Sequence, residues 1–194
     1  MSLHKEDARS KNIIFVSNCI LNANNKVREF ARYPGMFSEI VQSLDKYGIG
    51  LMQMQCPETL YMGNQRWWNS RNLYDNVGYR RFCRQLAVQT ADYIQNYYIM
   101  GYNVVGILVC DGSPTCGITI SSYCEDWGGR PKEIPRILVN RPGIYTEELV
   151  KELDSREIPL PKMFGLPMDD REQTNEEIIK QFETFITENM KGKL

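Results

Sequence analysis

The chain has 194 residues, of which 42% are hydrophobic and 24% are charged, and its formal net charge is −1. These values are typical of one folded globular domain and exclude a disordered chain. Because lysine and arginine are spread along the sequence, no basic field indicates nucleic acid or an anionic membrane as a partner. No segment approaches the roughly 18 apolar residues that a membrane-spanning helix requires.

Residues 1–11 are polar and charged, and we expect them to form a flexible tail before a single domain that covers residues 12–194. The first apolar run, Ile13–Val16, is shorter than the core of a signal peptide, which has about 7–15 residues. We therefore expect a cytoplasmic protein. In that compartment the six cysteines stay reduced and serve as core residues, metal ligands or catalytic thiols.

Apolar runs and helical spacing alternate along the chain. Short apolar runs predict strands at Ile13–Ser17, Ile49–Met54, Val104–Val109 and Met163–Leu166. Apolar residues at helical spacing predict helices at Gly35–Tyr47, Val77–Met100, Tyr145–Leu153 and Glu172–Asn189. This alternation predicts an α/β fold, in which a mostly parallel sheet carries helices on both faces.

Two segments show no clear period. Asn64–Asn76 is polar and aromatic, and we interpret it as a loop or lid. Cys110–Pro142 is rich in glycine and proline, with a short apolar piece at Ile134–Val139. A loop of that length inside a compact domain usually has a function, so we expect part of the site there.

Three cysteines follow three successive predicted strands. Cys19 follows the first strand, Cys56 follows the second, and Cys116 lies in the loop after the third. In an open parallel sheet, ligands bind beyond the carboxyl ends of the strands. We therefore expect these thiols to converge in one pocket, although each could instead be a packing residue, because cysteine is among the most buried residue types.

Proton-transfer groups lie close to two of these cysteines in the sequence. Glu58 comes two residues after Cys56, and Ser113 comes three residues before Cys116. The carboxylate and the hydroxyl could move protons in a shared pocket. The glycines of the Gly112–Gly117 segment would let its backbone approach a ligand closely.

The other cysteines carry weaker indications. Cys83 lies on the apolar face of the long helix and is interpreted as a core residue. Cys110 ends the third strand and is either core or a neighbour of the site, while the role of Cys124 in the long loop stays open. Among charged side chains, those interpreted as surface charge are Asp75, Glu147 and Glu148, and those interpreted as solvated, with one facing the pocket, are Arg28, Arg32, Arg66 and Arg130.

The chain has one histidine, His4, which lies in the polar tail. A Ser-His-Asp or Cys-His catalytic unit needs a buried and oriented imidazole, so neither is indicated. The common zinc sites that contain histidine are disfavoured for the same reason. A metal in this protein would have to be held by sulfur, with carboxylate as the other available ligand type.

Three motifs resemble those of the TudS-type thiouracil desulfidases and of the larger domain family to which those enzymes belong. The motifs are Ser17–Asn22, Gln55–Glu58 and Gly112–Gly117. The stretches Arg141–Tyr145 and Gly165–Pro167 also resemble a TudS-related branch of that family, so the resemblance covers most of the chain. Two segments depart from the family pattern, the polar residues Asn22–Lys26 and the aromatic stretch Asn64–Asn76, and either could line the substrate pocket.

The resemblance implies a Rossmann-like three-layer sandwich and an iron–sulfur-dependent desulfidase. It implies that Cys19, Cys56 and Cys116 hold a [4Fe–4S] cluster with one iron free of protein ligands, and that Glu58 and Ser113 transfer protons. The substrate would be a thiolated base or a similar small thiocarbonyl compound, and water would replace its sulfur. We expect no nucleic-acid or membrane partner, and a monomer or a homodimer.

Two alternatives to a desulfidase stay open. In the first, the same cysteines hold a cluster or a zinc ion with a structural or redox-sensing role, and zinc would require Cys110 or Cys124 as a fourth ligand. In the second, the protein is a cluster-free α/β enzyme with a single cysteine nucleophile of low pKa. The lack of a partner histidine weighs against that second alternative.

Overall fold

A computed structural model describes residues 7–124, 137–167 and 173–190 of the chain. The strands are β1 (Asn12–Ser17), β2 (Gly50–Met54), β3 (Asn103–Asp111), β4 (Ser121–Tyr123), β5 (Ile137–Val139) and β6 (Met163–Pro167). The helices are α1 (Asn18–Leu21), α2 (Ser38–Lys46), α3 (Pro57–Met62), α4 (Arg71–Tyr74), α5 (Val77–Ile99), α6 (Ile144–Ser155) and α7 (Asn175–Asn189). A short 3-10 turn lies at Ala23–Asn25.

Four strands form one sheet in the order β2-β1-β3-β6, and each neighbouring pair is parallel. Strand β1 is fully buried and β3 is buried at every position but its two ends. Continuous burial of this kind is expected when helices cover both faces of a parallel sheet. A separate antiparallel pair, β4-β5, lies in the glycine-rich segment that follows β3.

Helices pack on both faces of the sheet and produce two hydrophobic cores. One core joins Phe15 and Ile107 of the sheet to α5 and α6. The other joins Ile14 and Leu108 to α2 and α7. Consecutive strand residues thus point to opposite cores, as the two-residue period of a strand requires. The predicted α/β class, a Rossmann-like three-layer sandwich with a mostly parallel sheet in a single domain, is confirmed.

The long elements lie where the sequence predicts them, except that helix α2 begins at Ser38 rather than at Gly35, and the short helices are new. The predicted helices at Val77–Met100 and Tyr145–Leu153 correspond to α5 and α6, with shifts of one or two residues at the ends. Helices α1, α3 and α4 were not predicted, because four to six residues are too few to show a helical period. Two other predicted segments begin outside the described residues. They are the apolar piece that begins at Ile134 and the helix that begins at Glu172.

An ion-pair network links α4, α5 and α6. Glu148 is buried and pairs with Arg80, at 2.8 Å, and with Arg84, at 3.1 Å. Arg71 is also buried and pairs with Asp75 and Glu147. The interpretation as surface charge was therefore wrong for Glu148, because the helix contacts that bury it are long-range and leave no mark on the local sequence. Asp75 is exposed, as expected, and pairs with the nearby Arg71 and Arg80.

Among the helices of the described residues, none is both long and apolar enough to cross a bilayer.

Candidate functional site

Four cysteines line one cavity beyond the carboxyl ends of the central strands. They are Cys19, Cys56, Cys110 and Cys116, and Glu58 and Ser113 line the same cavity. The cavity volume is about 70 Å³. Since a water molecule needs roughly 10–15 Å³ on this measure, the space is that of several waters. The residues that the sequence singled out as ligands and proton carriers are thus brought together.

Each of the three predicted ligands is held by the backbone that follows its strand. Cys19 lies in α1, which begins directly after β1. Cys56 is the residue before α3, and Pro57 occupies the first turn of that helix, where a missing N–H costs nothing. Cys116 lies in the loop after β3. Because the strands are parallel, all three turns occur at the same edge of the sheet.

The loop that carries Cys116 is held by polar contacts to its own backbone. The Ser113 hydroxyl oxygen accepts a hydrogen bond from the Cys116 N–H at 3.1 Å. The Asp111 carboxylate accepts one from the Ile118 N–H at 2.8 Å and one from the Thr119 hydroxyl at 2.6 Å. Gly112 adopts a φ of 82°, which favours glycine. These contacts therefore hold the loop in one defined conformation.

Gly143 lets another segment of the chain approach this loop. A Cβ atom at Gly143 would lie 2.2 Å from the carbonyl carbon of Thr115 and 2.6 Å from the Cys116 nitrogen. The Gly143 N–H donates to the Gly117 carbonyl at 2.9 Å. A side chain at residue 143 would therefore push the Cys116 loop away from the cavity.

The thiols of the three predicted ligands share one environment. Contact with the Cys110 sulfur and burial raise the pKa of Cys19 well above its ordinary value. Burial and the charge of Glu58 raise the pKa of Cys56. Burial and the neighbouring Cys56 and Cys19 raise the pKa of Cys116. The thiols are thus close enough to oppose one another's ionisation, and a cation among them would favour the thiolate forms.

Glu58 is a buried carboxylate with defined partners. Its Oε2 accepts a hydrogen bond from Arg66 Nε at 3.1 Å, and its Oε1 accepts one from the Thr115 hydroxyl at 2.8 Å. Arg66 is itself buried and donates to the Asn25 carbonyl oxygen at 2.8 Å. Among the described members of the arginine set, Arg66 lines the cavity, as expected for one of them. Arg130 lies outside the described residues.

The sequence did not single out Thr115, whose hydroxyl contacts Glu58 directly. Ser113 lines the cavity, while its hydroxyl oxygen accepts hydrogen bonds from the N–H groups of Thr115 and Cys116. Thr115 lies two residues from Ser113 in the same motif, so the motif itself was the available signal. Which of the two hydroxyl groups faces Glu58 depends on how the loop turns.

The two segments that depart from the family pattern supply further parts of the cavity wall. Asn25 and Lys26 come from the first, and Trp68 and Asn69 come from the second. Trp68 is buried, whereas its neighbour Trp67 is 69% exposed. The indole N–H of Trp68 is buried and finds no hydrogen-bond partner among the described residues. A buried donor that makes no hydrogen bond costs about 1–3 kcal/mol.

Lys26 and Cys110 meet at the edge of the cavity. The Lys26 ammonium nitrogen lies 2.7 Å from the Cys110 sulfur. Cys110 is buried in β3 and lies beside Cys19, so it is a neighbour of the site rather than only a core residue. Cys83 is buried in the core, as expected, and Cys124 is buried away from the lining of this cavity.

Within residues 7–124, 137–167 and 173–190, no group of three or more His, Cys, Asp or Glu side chains is arranged to hold a single metal ion. A single tetrahedral ion needs its ligands close together, whereas a cluster takes each thiolate at a different iron. The donor set itself, soft thiolates around a cavity, is the kind that iron–sulfur centres use. By donor chemistry the residues present fit a cluster.

The fold and the cavity define an α/β protein of Rossmann-like architecture with a thiol-lined site at the carboxyl edge of its sheet. The chain is similar to the uncharacterized protein MJ0003 of Methanocaldococcus jannaschii, with 31% identity over 178 residues that cover 92% of this chain and 99% of that protein. It belongs to the family of that archaeal protein. No family model matches the chain, and no solved structure matches it.

Proposed function

We propose that this protein is a cytoplasmic, [4Fe–4S]-dependent desulfidase that acts on a thiolated base or a similar small thiocarbonyl compound. The reaction would convert the thiocarbonyl group and one water into a carbonyl group and hydrogen sulfide. The observation that carries the proposal is the convergence of Cys19, Cys56, Cys116 and Glu58 on one cavity. The resemblance of their three motifs to the TudS-type desulfidases supplies the reaction class.

The three thiolates of Cys19, Cys56 and Cys116 would hold the cluster. When bound, the cluster would supply a Lewis-acidic iron without a protein ligand, which accepts the sulfur of the substrate. The three cysteines are partly exposed, and the Ser113 hydroxyl fixes the loop that presents Cys116. Ligands on three separate backbone turns would leave one face of the cavity for the substrate.

Glu58 would move the protons of the reaction. Its carboxylate is held by Arg66 on one oxygen and by Thr115 on the other, so it keeps one orientation in the cavity. A base in this place can take a proton from the attacking water, and the same group as an acid can return it to the leaving sulfur. Ser113 would assist at the mouth of the loop, where its hydroxyl hydrogen is available as a donor.

The aromatic wall would receive the ring of the substrate. Trp68 and Phe30 line the cavity together with Asn25 and Asn69. An apolar face with a small number of polar groups is typical of a site for a flat small molecule. The indole N–H of Trp68 would donate to a ring oxygen or nitrogen of that molecule.

The first test is the iron and acid-labile sulfide content of protein reconstituted without oxygen. We expect about four irons and four sulfides per chain, and their loss in Cys19→Ala, Cys56→Ala and Cys116→Ala. The control is Cys124→Ala, because Cys124 is also a free cysteine but is buried away from the lining of the cavity. It should keep its iron and its visible spectrum.

Activity is then measured with 2-thiouracil and other thiolated bases, by following hydrogen sulfide and the oxygen-containing product together. Glu58→Gln should keep the cluster and lose at least tenfold in rate, since general acid–base catalysis contributes about 10²–10⁴-fold. Parent protein without iron, or iron that persists in all three cysteine variants, would contradict the proposal.

A second candidate is a metal-binding protein with a structural or redox-sensing role. The position of Cys110 beside Cys19 in the same cavity favours it, because Cys110 adds a fourth thiol to the site. Zinc would have to draw the four thiolates closer together than they lie in the described residues. One equivalent of zinc that is lost in Cys110→Ser, together with no iron uptake, would select this candidate. A single low-pKa nucleophile is disfavoured, because burial raises the pKa of Cys56 and Cys116.

A further inference from the structure

Lys26 and Cys110 approach each other more closely than a hydrogen bond to sulfur allows. The distance between Lys26 Nζ and Cys110 Sγ is 2.7 Å, although the two residues are 84 positions apart. That length is already at the short end for N–H···O bonds, and sulfur is a larger atom than oxygen. The distance is also too long for a direct nitrogen–sulfur bond. It matches the span of two single bonds that meet at one bridging atom.

We propose that Lys26 and Cys110 are an oxidative modification site, at which one oxygen atom bridges Nζ and Sγ. The oxidant is dioxygen. The amine, the thiol and one O₂ give the N–O–S bridge and one water: an N–H, the S–H and the O–O bond break, and an N–O and an O–S bond form. The sulfur and the nitrogen are each oxidised by two electrons, and the two oxygen atoms take up the four. One oxygen atom is retained in the bridge, and the other leaves as water with two of the three hydrogens. Four equivalents of a reducing thiol would reverse the bridge, giving the free amine, the free Cys110 thiol, one water and two disulfides of the reductant.

Both partners are held in place by their backbones, so the bridge needs little movement. The Lys26 N–H donates to the Ala23 carbonyl at 2.9 Å, and the preceding carbonyl, that of Asn25, accepts from Arg66 at 2.8 Å. Cys110 lies within β3 and pairs with Leu166 of β6. Two rigid backbones that present an amine to a thiol favour reaction between those two groups over reaction with other residues.

The surroundings give oxygen access and give the bridge a consequence. Lys26 is half-buried, and both residues line the cavity, so a small molecule that enters the cavity reaches them. The bridge would join the segment around Asn25 covalently to the central sheet, next to Cys19. It would remove the positive charge of Lys26 and narrow the cavity. Oxidation would then close the thiol-lined site, and reduction would reopen it.

The test is the intact mass of the full-length protein under denaturing conditions, prepared without oxygen and then divided between air and a reducing thiol. The bridge gains one oxygen and loses two hydrogens, so we expect an increase of about 14 Da in air that the thiol reverses. Peptide mapping should recover one cross-linked species with Lys26 and Cys110. The thermal midpoint of the oxidised protein should also rise, as with any cross-link between distant residues.

Matched variants separate this bridge from other chemistry. Lys26→Arg and Cys110→Ser should abolish the mass increase, whereas Lys46→Arg and Cys124→Ser should retain it. An unchanged mass in air, a loss of about 2 Da from a disulfide, or a gain of about 16 Da from a sulfenic acid would each overturn the proposal. So would an increase that survives in Lys26→Arg. The readout needs neither iron nor substrate, so its failure is distinct from failure of the desulfidase proposal.

Discussion

The ion pair between Glu58 and Arg66 offers a direct test of how the site is held together. Their side chains are only 10% and 3% exposed, and the pair spans 3.1 Å. Arg66 also donates to Thr59, at 3.1 Å, and to the carbonyl oxygens of Gly63 and Asn25. Arg66→Met keeps much of the volume of the side chain but leaves Glu58 as a buried charge with only the Thr115 hydroxyl.

Removal of one partner of a buried pair costs about 3–5 kcal/mol, because the remaining charge is uncompensated. In a chain of this size each kcal/mol lowers the thermal midpoint by about 2–4 °C. We therefore expect Arg66→Met to lower the midpoint by roughly 6–20 °C. The double variant Glu58→Gln/Arg66→Met removes the stranded charge, so it should be more stable than the sum of the single effects by about 1–3 kcal/mol.

The assay is urea unfolding of metal-free, reduced protein, followed by circular dichroism, so that a loss of iron cannot contribute. The control is Arg84→Met, because Arg84 also forms an ion pair but its side chain is 61% exposed. That variant should change the unfolding free energy by less than about 1 kcal/mol. A loss below about 1 kcal/mol in Arg66→Met, or strict additivity in the double variant, would refute the reasoning.

Two further predictions concern the loop that carries Cys116 and the ion-pair network that links α4, α5 and α6. Gly143→Ala places a methyl group 2.2 Å from the Thr115 carbonyl carbon; it should destabilise the protein by about 1–3 kcal/mol or more and reduce its iron content. Gly35→Ala, with nothing within 4 Å, should do neither. The hydrogen bond from Arg80 lowers the pKa of Asp75 from 3.8 to about 2. A lowered carboxyl pKa stabilises the fold above about pH 4, and this stabilisation is lost as the pH falls towards 2. The stability deficit of Asp75→Asn should therefore be about 1 kcal/mol at pH 6 and vanish near pH 2. A constant stability deficit of Asp75→Asn in urea titrations across that pH range would contradict the lowered pKa of Asp75. Normal iron content in Gly143→Ala would contradict the prediction for the loop that carries Cys116.

Much of the fold was accessible from local patterns. The apolar runs of β1 and β3 and the helical spacing of α5 extend over enough residues for the period to show. These patterns predicted the parallel sheet. The parallel sheet in turn predicted that Cys19, Cys56 and Cys116 would meet at one edge. The short helix α3 could not be predicted from the sequence pattern, because its six residues contain less than two helical turns.

The partners of the site residues were much less accessible. Glu58 was visible beside Cys56 in the sequence, but its contacts to Arg66 and Thr115 are set by how separate loops fold against each other. The Lys26–Cys110 contact joins positions 84 apart, and neither residue carries a pattern that points to the other. Glu148 looked like a surface charge because its burial comes from α5, which packs against α6.

The sequence alone determined the order of the long strands and helices, the absence of a usable histidine and the positions of three cysteines after three strands. These properties are local, since they depend on the period of apolar residues and on the identity of the residues at strand ends. The tertiary structure alone decided that Cys110 and Lys26 join the cavity, that Arg66 and Thr115 hold Glu58, and that Trp68 rather than Trp67 faces inward. Those outcomes depend on side chains brought together across long loops, and a chain's local pattern carries no record of such distances.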